Sequence, residues 1–165
     1  MSGRALRYAP IVAVLVITQV AVFPTLRAFG VGPDLGLIAA VAVAWYEGPE
    51  VGALVGFCAG VFVDFFVSTP VGLTALAWGL VAYLVGSARV VLDRRIPMQT
   101  MLLAFAAGLL GGVLFALFAV LVGAEALQHA HTVSVILGSS LYDAVLAPLV
   151  FLLVRTVGRA PARLR

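Results

Sequence analysis

Residues 48–64 read GPEVGALVGFCAGVFVD. Glu47-Gly48-Pro49-Glu50 is a tight turn, because proline cannot continue a preceding helix and glycine tolerates the corner. An apolar run over 51–67 follows. Gly48, Gly52, Gly56 and Gly60 recur at every fourth position, and Asp64 takes the next place in the series. A step of four residues turns about 40° around a helix, so the stripe winds slowly over one face. Glycines on such a face let a second backbone come close, typically at a right-handed crossing of membrane helices. Packing inside one chain is the plain use of that face, and a homodimer face between two copies is the alternative. Gly108 and Gly112 repeat the spacing in isolation.

The surrounding chain has the same character. Of 165 residues, 64% are hydrophobic and 10% charged, against roughly 25% charged in soluble domains. Mean hydropathy is +1.19. Too few polar residues are present to cover a water-facing surface, which excludes a soluble globular domain, a disordered chain and a coiled coil. All ten basic residues are arginine and the formal charge is +3. These arginines lie between apolar runs, so they speak for membrane topology and not for nucleic acid. Cys58, the single cysteine, lies inside an apolar run, where a small apolar role is the simple reading.

The expected architecture is all-α: a polytopic membrane protein in one integral domain over 1–165. Six transmembrane helices are placed at about 8–26, 33–46, 51–67, 71–88, 98–123 and 132–154. The first is read as an uncleaved helix, since no small-x-small site precedes Pro24. The second is short for a span. Charge settles its treatment. With both termini cytoplasmic, Arg4, Arg7, Arg89, Arg94, Arg95, Arg155, Arg159, Arg163 and Arg165 lie inside and Arg27 outside. Five spans with the same start invert the balance, against the positive-inside rule, while five spans starting outside give a weaker bias of eight to two and stand as the alternative. With six spans, Trp45 and Tyr46 fall at the cytoplasmic interface.

Two acidic residues lie within apolar runs, where a carboxylate is costly unless paired, protonated or near water. Asp64 sits about 5 Å below the outer end of its helix. Thr74 shares its depth, and Arg27 is its candidate partner. A polar clasp tying the hairpin of the third and fourth runs is favoured over a proton or ligand site. Asp143 lies deeper, near the midplane, beside Tyr142. Thr18 and Gln19 are the strongly polar side chains able to approach it from another helix. A functional site and a protonated group sharing hydrogen bonds with Gln19, Tyr142 or Ser140 stand level there. The carboxylates sit at different depths, which argues against an aspartyl protease dyad.

Glu125, His129 and His131 make too loose a cluster for metal and read as a solvated loop. No phosphate loop, nucleophile elbow, zinc-protease helix or dinucleotide fingerprint occurs, so no enzyme and no cofactor is expected. Arg155, Arg159, Arg163 and Arg165 serve as topology anchors, with contact to lipid headgroups or a cytoplasmic partner as a further use.

Pro33-Asp34-Leu35, Glu47-Gly48-Pro49, the series Gly52, Gly56-Phe57, Gly60 and Asp64, and Pro70-x-Gly72-Leu73 together resemble the bacterial rod shape-determining MreD family. The motif covers about residues 33–86, and the flanks match in hydropathy. The resemblance implies a place in the cell-elongation machinery at the bacterial cytoplasmic membrane, serving cell shape and lateral peptidoglycan synthesis. It implies binding to MreC, a single-pass protein, and through it links to the RodA glycosyltransferase, its transpeptidase partner and, indirectly, the MreB filament. It also implies a fold like the substrate-binding subunits of energy-coupling-factor vitamin transporters. Gly52, Gly56, Gly60 and Asp64 fall on motif positions; Asp143 lies outside them.

Two functions follow. The first is a non-enzymatic membrane scaffold, which calls for a helical bundle with an exposed apolar groove for a partner's helix. The alternative is a small-molecule transporter or a vitamin-binding subunit of one, with Trp78 and Tyr83 lining a pocket and Asp64 on its wall.

Overall fold

The structure is a computed structural model that describes residues 2–21, 31–66, 70–89, 97–123 and 132–159. These form six helices: α1 (Ser2–Ala21), α2 (Leu35–Glu47), α3 (Pro49–Asp64), α4 (Leu73–Ala88), α5 (Pro97–Leu121) and α6 (Thr132–Arg159). The bounds depart from the sequence expectation mainly at the ends. The first helix starts earlier, and the last runs on to Arg159, so Arg155 and Arg159 are helical.

The short second run becomes the axis of the bundle. Every residue of α2 from Leu35 to Trp45 is buried, and α2 packs against each of the other five helices. A helix apolar on all sides belongs inside other helices. Its alternating Ala and Val side chains let those neighbours approach closely. Thirteen residues rise only about 20 Å. A helix sheathed by protein escapes the length requirement of a lipid-facing span, so its shortness and its apolarity share one cause.

Gly48 alone makes the corner between α2 and α3. Its φ of +118° suits glycine, and its N–H donates to the Ala44 carbonyl at 3.0 Å. Pro49 opens α3 at a position where a missing N–H costs nothing, and Glu50 in the first turn suits the positive end of the helix dipole. Next, α3 and α4 form an antiparallel hairpin. Gly86 meets Pro49 at one end, Gly56 meets Trp78 midway, and Gly60 meets Ala75 at the other end. Similarly, α5 and α6 run antiparallel, with Gly108 against Ser140 and Gly112 against Ile136.

Among the described residues, two helices are long and apolar enough to cross a membrane, Met98–Leu121 and Thr132–Gly158, and about a third of the most apolar stretch of each is buried. Outside the core, Leu102, Leu117, Val145 and Leu152 are each at least half exposed. An apolar surface this extensive fits contact with lipid and not with water.

Candidate functional site

The glycine stripe of α3 lies between α2 and α4. A β-carbon added at Gly52 would overlap Ala44 of α2. One at Gly56 would lie 2.8 Å from the Trp78 carbonyl oxygen and 3.2 Å from the Ala40 β-carbon. One at Gly60 would overlap Ala75 of α4. Residues of the same chain therefore fill the space in front of these three glycines. Gly48 sits at the corner instead, where a β-carbon would lie 3.2 Å from the Arg89 guanidinium.

Asp64 is 2% exposed at the end of α3. Its Oδ2 accepts the Gly72 N–H at 2.7 Å. Gly72 is the residue before α4 and has φ +105°, a conformation glycine adopts at no steric cost. The carboxylate thus fastens the end of one helix to the start of the next. Arg27, its expected partner, lies outside the described residues. Thr74, the second residue of α4, is buried as well.

Asp143 is fully buried, but its partners differ from those expected. Oδ1 accepts the backbone N–H of Asp34 at 2.7 Å. The Ser140 hydroxyl donates to the Ile136 carbonyl, and Tyr142 is 39% exposed. Gln19 joins the same cluster from α1: its Oε1 accepts the Gly36 N–H at 3.0 Å, and its Nε2 donates to Asp34 Oδ1 at 3.3 Å. The reason lies in helix ends. The first N–H groups of a helix have no intrahelical acceptor and must find one inside the protein. Asp34 occupies the cap position of α2 without bonding its own helix through its side chain. Asp143 and Gln19 accept instead, so α6 and α1 jointly cap the central helix. Gly108 of α5 lets Asp143 in, since a β-carbon there would lie 2.9 Å from Oδ2.

At the other end of the bundle, the Tyr8 hydroxyl donates to Glu47 Oε1 at 2.6 Å, and Arg7 Nη1 donates to the Gly158 carbonyl at 3.4 Å. Trp45 is buried at this end, and the Tyr46 ring packs edge-on against Phe151 with centroids 6.2 Å apart. Tyr8→Phe removes the Glu47 bond and is expected to cost about 1 kcal/mol, the net worth of one such hydrogen bond. A thermal melt in detergent, compared with the parent chain, checks this.

Sequence reasoning overlooked Asp34, Tyr8 and Glu47 as site residues. Asp34 carried a signal, an Asp immediately before an apolar run. The pairing of Tyr8 with Glu47 joins residues far apart in sequence and carried none. Trp78 is buried against Gly36, and Tyr83 is 47% exposed. Among the described residues no group of three or more His, Cys, Asp or Glu is placed to hold a metal. Glu125, His129, His131, Arg163 and Arg165 lie outside them.

An open groove of about 350 Å³ runs between α1 and α3. Leu6, Ala9, Val12, Ala13, Leu54 and Phe62 line it, and Cys58 opens onto it. Small alanines on α1 leave the hollow, and larger side chains form its rims.

The family model of the rod shape-determining protein MreD matches residues 5–157. The chain belongs to the MreD family. Neither a curated protein nor a solved structure matches it. The matched range contains the stretch 33–86 and both of its flanks. MreD membership gives the chain a role in rod-shape determination and a place among membrane proteins.

Proposed function

We propose that this MreD family member is a non-enzymatic, six-span scaffold of the cell-elongation machinery, with both termini cytoplasmic, which holds the transmembrane helix of an MreC-type single-pass partner. The groove between α1 and α3 carries the reading. It is almost wholly apolar, opens on the outside of the bundle and is long enough to involve Leu6 at one end and Phe62 at the other. Apolar attraction alone does not join helices in lipid; close packing into a preformed hollow does. The polar groups support a holding role as well. Asp64, Gln19 and Asp143 each accept backbone N–H groups at helix starts or turns, which stiffens a bundle without needing a substrate. Through the partner, the scaffold reaches RodA, its transpeptidase and the MreB filament.

Ala13→Leu fills the groove from α1 while leaving the core untouched. Partner retention in a mild-detergent pull-down is expected to fall about tenfold, the equivalent of one well-packed apolar side chain, with elution of the scaffold itself unchanged. Rod shape in depleted cells should be restored by the parent chain and poorly by the variant. Undiminished retention removes the groove from the reading, and unchanged cell shape on depletion removes the scaffold role.

A further inference from the structure

At the end of the bundle opposite Asp34 and Asp64, a pocket of about 380 Å³ lies between the start of α1, the end of α2, the start of α5 and the end of α6. Tyr8, Trp45, Glu47, Thr100, Val154 and Arg155 line it. Its wall is mixed: Trp45 and Val154 are apolar, while Glu47 and Arg155 bring opposite charges. Among the described residues, no ion pair joins Glu47 to Arg155 across the space. Glu47 is also the last residue of α2, where the negative end of the helix dipole favours a cation. Arg155 is exposed on α6, and a guanidinium is suited to a phosphate. A ligand that fits carries both signs close together and an apolar part beside them.

We infer that this pocket binds the headgroup of an amine-bearing phospholipid, with the ammonium at Glu47 and the phosphate at Arg155. The inference rests on the membrane reading above, which places this arginine-bearing end in the cytoplasmic leaflet. Trp45 and Val154, both buried, form the apolar floor beneath these two contacts. The Tyr8 bond fixes one Glu47 oxygen at 2.6 Å and holds the carboxylate in position.

The full chain is purified in mild detergent, offered equal amounts of phosphatidylethanolamine and phosphatidylglycerol, and read by native mass spectrometry. Phosphatidylethanolamine is expected to be retained about tenfold over phosphatidylglycerol, as one charge-assisted contact provides. Glu47→Gln keeps an acceptor for Tyr8 and should bring the two lipids to parity. Arg155→Gln should lower retention of both. Equal retention by the parent chain, or a preference unmoved by Glu47→Gln, overturns the inference while leaving the membrane reading intact. Retention of soluble glycerophosphoethanolamine as strongly as the full lipid overturns the lipid assignment in favour of a soluble aminophosphate. A chain that stays monodisperse without detergent and carries no lipid overturns the membrane reading together with the inference.

Discussion

Gly56→Val is expected to leave little folded protein. Its first added carbon would lie 2.8 Å from the Trp78 carbonyl oxygen on one side and 3.2 Å from the Ala40 β-carbon on the other. Backbone of α4 and a buried alanine of α2 both stand in the way, and neither is the mobile tip of a long side chain. Overpacking of a filled core costs about 1–3 kcal/mol, and a branched side chain wedged against backbone belongs at or beyond the upper end. Leu54→Ala on the outer side of the same helix is the control, since that position is 44% exposed and its loss opens no sealed cavity. Size-exclusion chromatography after heating, in detergent, reads both variants. Were the stripe instead a homodimer face, Gly56→Val would give a stable monomer. Survival of a well-folded monomer is therefore the result that sinks internal packing.

The stripe was legible because a four-residue step stays on one side of a helix, whatever the helix touches. What it touches was not legible. Ala44, Trp78 and Ala75 sit on two different helices, and nothing in an apolar sequence marks which alanine faces a given glycine. The second run shows the same limit. Its length of 13 residues is an oddity for a lipid-facing span and ordinary for a helix enclosed by five others. Hydropathy responds to both situations alike, because lipid and protein interior are equally apolar. Hydrophobic patterning thus locates the six helices without placing α2 at the centre.

Polar residues were easier to find than to pair. Asp64 and Asp143 stand out because charge is rare here, and Gln19 is one of few side chains able to reach them. The pairing of Asp143 is not legible among the side chains. Its partner is a backbone N–H, exposed at Asp34 only once α2 is known to begin at Leu35. A helix start buried in a bundle creates a demand for acceptors, and that demand brings Asp143 and Gln19 to the same few residues. At the α3–α4 hairpin the logic is the same, with Asp64 accepting the N–H of Gly72 ahead of α4. The favoured clasp needs no side-chain partner for that contact.

This account separates the two substitutions that matter most at Asp143. Asp143→Asn keeps an oxygen for the Asp34 N–H, and Asp143→Leu removes it while keeping the branching pattern of the side chain with bulkier ends. Leaving a buried N–H without an acceptor costs about 1–3 kcal/mol, and losing the carboxylate hydrogen bond belongs to the stronger class. Leucine also brings a branched end toward Gly108, where the space is already filled to within 2.9 Å of Oδ2. Asp143→Leu is therefore expected to lose about 3 kcal/mol and most of its folded yield. Asp143→Asn should melt close to the parent chain and restore rod shape in depleted cells, because an amide oxygen caps α2 as a carboxylate does. A proton-handling or ligand-binding role makes the opposite demand, since a neutral amide takes up no proton. An Asn variant that folds and melts normally yet fails to restore shape would show that the charge of Asp143, and not its hold on the start of α2, is what the protein uses.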